Sequence, residues 1–178
     1  MIIARDNRVG IDAAIYRLQT LLNENLTWLG TNIYGRIYRN KDSEGKFHPE
    51  TWIEGDEYSQ VFVNDNNAGN VGFYVKDVRT ITSGIMEADI EIIFTVDVTG
   101  IYGTELRDDE KALLEASQIL VKAITKGFTI NDSNNVKINN EKVFADFDRE
   151  SIAYRDMQPY FNFSISGKLE YSINLCLK

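Results

Sequence analysis

The stretch Ile85-Met86-Glu87-Ala88-Asp89-Ile90-Glu91-Ile92-Ile93-Phe94-Thr95-Val96-Asp97-Val98 decides the fold class. Apolar residues take every even position, and the odd positions after Ile85 are acidic or polar except at Ile93. This period of two is that of a pleated strand, and laid on a helix it would scatter the apolar residues all round the axis. Read as a single strand, the stretch would span roughly 45 Å at about 3.3 Å per residue, enough to thread a whole domain or reach past it. Its apolar face needs a cover. Its carboxylates need water or a partner of opposite charge, because unpaired acids are not buried.

Working outward, residues 11–23 place Ile11, Ala14, Ile15, Leu18, Leu21 and Leu22 at helical spacing, which predicts an amphipathic helix. Asp12 falls in its first turn, and Asn23 or Asn25 is expected to close it in a left-handed conformation. From Thr31 to Arg39, Ile33, Gly35 and Ile37 alternate with Tyr34, Arg36 and Tyr38, predicting a strand with an aromatic and basic second face. Residues 40–57 read as a long polar loop holding His48 and the acids Glu54, Asp56 and Glu57, with a short strand over 51–53. Val61 and Val63 then suggest a short strand paired in a hairpin with 71–75, and 77–84 a linker to the central strand.

Gly100 and Gly103 end the central strand. Asp108, Asp109 and Glu110 open a second helix over about 109–126, with Leu113, Ala116, Leu120, Ala123 and Ile124 on one stripe and Gly127 as its stop. Residues 128–147 are irregular, with a short strand at Val136 and Ile138. At the end, Phe161, Phe163, Ile165, Leu169, Tyr171, Ile173, Leu175 and Leu177 keep odd parity through Gly167. Either one kinked strand runs through the glycine or a hairpin carries an odd-numbered loop; the kinked strand is the preferred reading. No repeat or Pro-rich linker divides the chain, so one domain is expected over residues 1–178.

Composition narrows the function classes. The 178 residues carry a formal net charge of −8, which argues against a general grip on nucleic acid, since affinity for the phosphate backbone comes largely from Lys and Arg. The single cysteine, Cys176, makes no internal disulfide and lies on the polar side of the last strand, where a structural role is expected. Residues 1–10 mix charges into too short an apolar run for a signal peptide, so cytosolic synthesis is expected. No apolar run approaches the length of a membrane helix.

Nucleophilic catalysis of the Ser-His or Cys-His kind needs a base beside the nucleophile, and the sole imidazole, His48, reads as an exposed loop residue. Glycines lack the spacing of a phosphate-binding loop. The sharpest chemical candidate is the column Glu87, Asp89 and Glu91, whose alternation puts carboxylates about 6.6–7 Å apart on one face, within range of a shared divalent cation. A metal-dependent nuclease of the Asp with Glu-x-Lys class is the alternative this raises, yet Ile92 and Ile93 follow Glu91 where that pattern has its lysine. A solvated or inter-subunit acidic face is the simpler reading. No catalytic residue, metal or cofactor is expected.

The predicted order is helix, strand, long loop, hairpin, very long strand, helix, irregular segment, long C-terminal strand. Together with the closing run Asp156-Met157-Gln158-Pro159-Tyr160-Phe161-Asn162-Phe163-Ser164-Ile165-Ser166-Gly167-Lys168-Leu169-Glu170-Tyr171, it resembles the tail-terminator and tail-completion proteins of tailed bacteriophages. The Asn- and Tyr-rich style is similar to neck-ring proteins of phages infecting Bacteroidetes, including the crAss-like group. The resemblance implies an α+β fold in which a mixed, mainly antiparallel sheet with long strands carries two helices on one face. It implies a non-enzymatic virion subunit that forms a ring with itself and stacks on portal, neck or tail proteins, while DNA passes through the ring without specific binding. Tyr34, Arg36 and Tyr38 on one face, and Glu54, Asp56, Glu57, Glu87, Asp89 and Glu91 on others, are then the expected subunit interface or channel lining. A monomeric adaptor that binds a peptide by strand addition is a further alternative.

Overall fold

The computed structural model describes residues 1–55, 57–63, 66–103, 108–131, 135–150, 152 and 157–173. The central strand β5 covers Ile85–Asp97. It lies between β4 (Gly69–Thr82) and β8 (Tyr160–Ser172), antiparallel to both. Outward from β4 come β1 (Thr31–Lys41), β2 (Phe47–Trp52) and the short β3 (Tyr58–Ser59). Beyond β8 lie β6 (Phe128–Ile130) and β7 (Val136–Ile138). Among the named strands only β1 and β4 pair in parallel. The sheet is thus mixed and mainly antiparallel, in an α+β chain.

One face is covered by α1 (Ile11–Asn25) and α3 (Asp109–Val121), the short α2 (Val98–Tyr102) following directly on β5. Ala14, Ile15, Leu18 and Leu22 of α1 and Ala112, Ala116 and Leu120 of α3 pack on Ala88, Ile90, Ile92, Phe94 and Val96, the even positions of β5. Phe94 stacks on Phe163 of β8 at 4.6 Å between ring centroids and meets the edge of Trp28. Asp108 caps α3 by accepting a hydrogen bond from the Lys111 amide, the role expected of an acid at a helix start. A 3-10 turn over Lys122–Lys126 follows, and Gly127, at φ 84°, stops it. That tighter winding turns Ile124 out to solvent, while Ile119, absent from the predicted stripe, goes to the core. The helix α1 ends without a left-handed cap: Asn25 stays helical and Leu26 goes straight to extended backbone.

The opposite face carries a second core that periodicity did not announce. Ile93, the one apolar odd position inside the central strand beyond its first residue, is fully buried there with Tyr34, Ile37, Phe62, Tyr74, Val143, Phe144 and Phe147. These come partly from a 3-10 turn at Val61–Val63 and the short helix α4 (Asn140–Val143). So β5 is half-wet only near its start and is buried on both faces toward its end.

Several expected elements are redrawn. Within the stretch read as a long loop, residues 40–41 end β1 and residues 47–52 form its hairpin mate β2, with Asn40 opposite His48. Val61 and Val63 lie in the 3-10 turn, so the expected hairpin with 71–75 does not form. Instead β4 continues through the supposed linker and turns at Ser83 and Gly84 directly into β5. Pairing with β5 explains it, since Arg79 sits opposite Glu87 and cross-strand opposite charges favour the ladder. At the other end β8 passes through Gly167 in unbroken register with β5, from Ile85↔Ser172 to Asp97↔Tyr160. The hairpin alternative is therefore excluded; residues 174–178, including Leu175, Cys176 and Leu177, lie outside the described residues.

The N-terminal segment is tied into this frame by the buried Gln19, whose amide donates to the carbonyls of Ile3 at 3.1 Å and Ile33 at 3.0 Å. Gln19→Leu keeps the volume and removes both donors. It is expected to cost about 1–2 kcal/mol in urea unfolding and to speed hydrogen exchange at the Ile3 and Ile33 amides, leaving β5 amides unchanged; unchanged exchange at Ile3 would contradict the tie.

Candidate functional site

Because β5 alternates, Glu87, Asp89 and Glu91 do project from one face, but the neighbouring strands bring a cation to each. Arg79 of β4 reaches both Glu87 and Asp89, the latter at 3.1 Å, and Lys168 of β8 lies 3.5 Å from Glu87. Glu91 is deepest, with its side chain 1% exposed. Lys76 of β4 approaches its carboxylate at 2.5 Å and Lys137 of β7 at 2.9 Å, while the Ser164 hydroxyl of β8 donates to the other oxygen. Burial alone would push the Glu91 carboxyl up; the hydrogen bonds from Lys76, Ser164 and Lys137 outweigh it and hold the group below the usual carboxylate range. Opposite charge within hydrogen-bond reach favours ionisation even where desolvation opposes it.

The row is therefore three internally neutralised acids, not a convergent set. A divalent cation needs several free oxygen ligands aimed at one point, whereas these carboxylates are already engaged by Arg79, Lys168, Lys76 and Lys137. Among the described residues, no cluster of three or more His, Cys, Asp or Glu is arranged to hold a metal.

His48 is not an exposed loop residue. It lies in β2, its side chain is 14% exposed, and its Nε2 sits 2.8 Å from Asp42 Oδ2. The hydrogen bond from His48 is the main reason the Asp42 carboxyl lies below its ordinary value. The geometry of the pair is that of a pin across the β1–β2 turn.

The aromatic-basic face of β1 is split. Ile33 pairs with Val71 and Arg36 with Phe73, so β1 spends one residue more than β4 over this step. Such a bulge reverses side-chain parity. Tyr34 drops into the second core, whereas Arg36 and Tyr38 stay on the helix side beside Ile15 and Gln19. Burial raises the Tyr38 phenol above its ordinary value, with Asp12 contributing. Glu54 and Glu57 are exposed in the turn between β2 and β3, and Asp56 lies outside the described residues.

No protein-family model, curated protein or solved structure matches this chain. A functional reading therefore rests on the geometry above. That geometry brings together Glu91, Lys76, Lys137 and Ser164, of which sequence reasoning named only Glu91. The signals it passed over were Ile93, which marks the second buried face, and the Lys76-x-x-Arg79 spacing on the neighbouring strand. It also missed a cleft of about 230 Å³ between residues 3–9, α1, β1 and β2, where Arg5, Arg8, Arg36 and Trp52 gather with Asp6 and Asp12.

Proposed function

We propose that the chain is a structural subunit of a phage neck or head-to-tail connector ring, joining the portal or capsid side to the tail and surrounding the DNA channel. The observation that carries this reading is the exposed end of the β4–β5 hairpin. Residues 76–82 are exposed, and Val78, Ile81 and Ile85 stand in solvent at 39%, 50% and 41% exposure. Beyond Tyr74 the outer edge of β4 pairs with no other strand among the described residues. A strand end with exposed apolar residues and an open edge is a surface made for other chains, and head-to-tail contacts between unlike faces close into rings when the rotation allows.

The site geometry supports a structural rather than a hydrolytic role, because the carboxylate row is spent on ion pairs inside the subunit. Glu91 and Tyr34 are core residues. Arg36, Tyr38, Glu54, Glu57, Glu87 and Asp89 remain as surface for neighbours or channel, and the net charge of −8 suits a bore through which phosphates slide without sticking. A second reading is favoured by the same open β4 edge: a monomeric adaptor that adds a strand from a partner. Negative-stain images of the purified protein separate the two. Annular particles with a central opening are expected, and a field of single small particles would favour the adaptor.

A further inference from the structure

The outward side of α3 carries a feature that the fold does not use. The helix buries Ala112, Ala116, Ile119 and Leu120 in the core. One flank is also occupied: Glu115 accepts from the Trp28 indole at 2.7 Å and the Tyr102 hydroxyl at 2.9 Å, and Lys111 lies over the Tyr102 ring. Directly opposite the core, at about 100° per residue, stand Leu114 and Val121, 50% and 66% exposed. The 3-10 turn that follows eclipses residues three apart, so Ile124, 65% exposed, continues the line of Val121. A helix that faces only solvent carries polar residues there, and α1 does so: its exposed positions are Arg17, Asn23, Glu24 and Asn25. Scattered apolar residues are ordinary on a surface, but three in one line over roughly 15 Å form a stripe.

Charge points to what covers the stripe. Glu110, one turn before Leu114 and on the same line, is exposed at the start of α3, and Lys122 and Lys126 are exposed at its end. Among the described residues no ion pair engages any of the three, whereas the acids of β5 are matched by cations within the subunit. A second α3 laid antiparallel on the first sets the acidic start of each helix against the lysines at the end of the other, and opposes their dipoles. A parallel copy would set like charges together. With Leu114 of one helix on Val121 of the other, the twofold axis returns Val121 to Leu114 and falls between Ser117 and Gln118. Ser117 already donates to the Leu113 carbonyl at 2.7 Å, so its hydroxyl needs no partner at the crossing.

We propose that the outer face of α3 is a twofold docking surface for a second copy of this chain, with Leu114 of each copy against Val121 of the other and Glu110 toward Lys122 and Lys126. An isologous contact closes on itself, so it joins units two by two. It is separate from the head-to-tail contacts of the ring reading: on a ring it pairs two rings face to face, and without a ring it pairs two chains.

The test compares the wild type with Leu114→Glu, Val121→Lys and the double variant, by light scattering at matched concentrations, with thermal melts to verify folding. Each single change sets a charge against an apolar side chain, desolvated and unpaired; the double sets opposite charges against each other in both halves of the seam. An acid near the helix start and a lysine near its end suit the dipole, so all three are expected to melt like the wild type. The expected masses are half the wild-type value in each single variant and the wild-type value again in the double. Folded single variants of wild-type mass overturn the seam. Halving without recovery in the double overturns the antiparallel self-pairing. A wild type that stays at the 20.3 kDa subunit mass at every concentration overturns the seam and the ring together. A wild type of two subunits that falls to one keeps the seam and removes the ring, and a larger wild type that the single changes leave intact keeps the ring and removes the seam.

Discussion

Replacing both lysines of the buried cluster, as Lys76→Met with Lys137→Met, is expected to cost about 3–5 kcal/mol at pH 7, the range for stranding one member of a buried ion pair. The asymmetry of the site sets this. Lys76 and Lys137 keep 34% and 28% of their side chains in solvent, while Glu91 keeps 1%. An orphaned lysine can therefore bend outward on its flexible stem, but an orphaned carboxylate stays where β5 puts it. Glu91→Gln, which retains an acceptor oxygen for the lysines, is expected to cost less, about 1–2 kcal/mol.

The pH dependence separates this mechanism from simple loss of packing. In the wild type the folded carboxyl lies below its ordinary value, so its contribution is full above the unfolded pKa of about 4.3 and is lost as pH falls through the lower folded value. In the double lysine variant burial is no longer outweighed, and the folded pKa rises above the unfolded one. The penalty then grows as pH climbs past about 4.3, and shrinks in acid, where the carboxyl takes a proton. Urea unfolding of both proteins at pH 7 and near pH 4.5 is expected to show the gap closing in acid; an equal gap at both would contradict the account of Glu91.

The second large effect is expected at Gly167. A Cβ there would stand 2.4 Å from two carbons of the Phe128 ring and 2.5 Å from the backbone oxygen of Thr129. Phe128 is 1% exposed and β6 pairs with β8 across this point, Ile130 opposite Gly167. Neither neighbour is the loose end of a flexible side chain, so Gly167→Ala must lift β6 off β8. A loss of about 3 kcal/mol is expected, the upper end for overpacking, with hydrogen exchange accelerated at Phe128, Ile130 and Leu169 before the β4–β5 ladder. Wild-type stability and exchange in that variant would mean that the glycine is a slot in name only.

The glycine shows how much of the fold was legible. Parity on both sides of Gly167 made one long strand the preferred reading over a hairpin, because a period of two survives wherever side chains alternate between a core and another environment. The same signal placed β5, and the helical period of 3.6 placed the stripe of α1. It was silent where both faces are buried or where local chemistry is not periodic: residues 47–52, with Phe47, Pro49 and Trp52, are held as a strand by their antiparallel pairing with β1, a long-range fact. Likewise the β1 bulge, one extra residue between Ile33 and Arg36, moved Tyr34 away from Arg36 and Tyr38 with no mark in the pattern. Of the site, the acids were legible because they alternate on one strand. Their partners were not, because Lys76, Lys137 and Ser164 come from three other strands whose neighbours only the sheet order reveals. The cleft with Arg36 and Trp52 joins segments that share no sequence spacing at all.

Subunit mass is the most direct test of the central claim that this chain builds a ring. Light scattering of the purified wild type across a hundredfold concentration range is expected to give a plateau at an integer multiple of 20.3 kDa, unchanged on dilution once the ring has closed. A mass of one subunit at every concentration would contradict it.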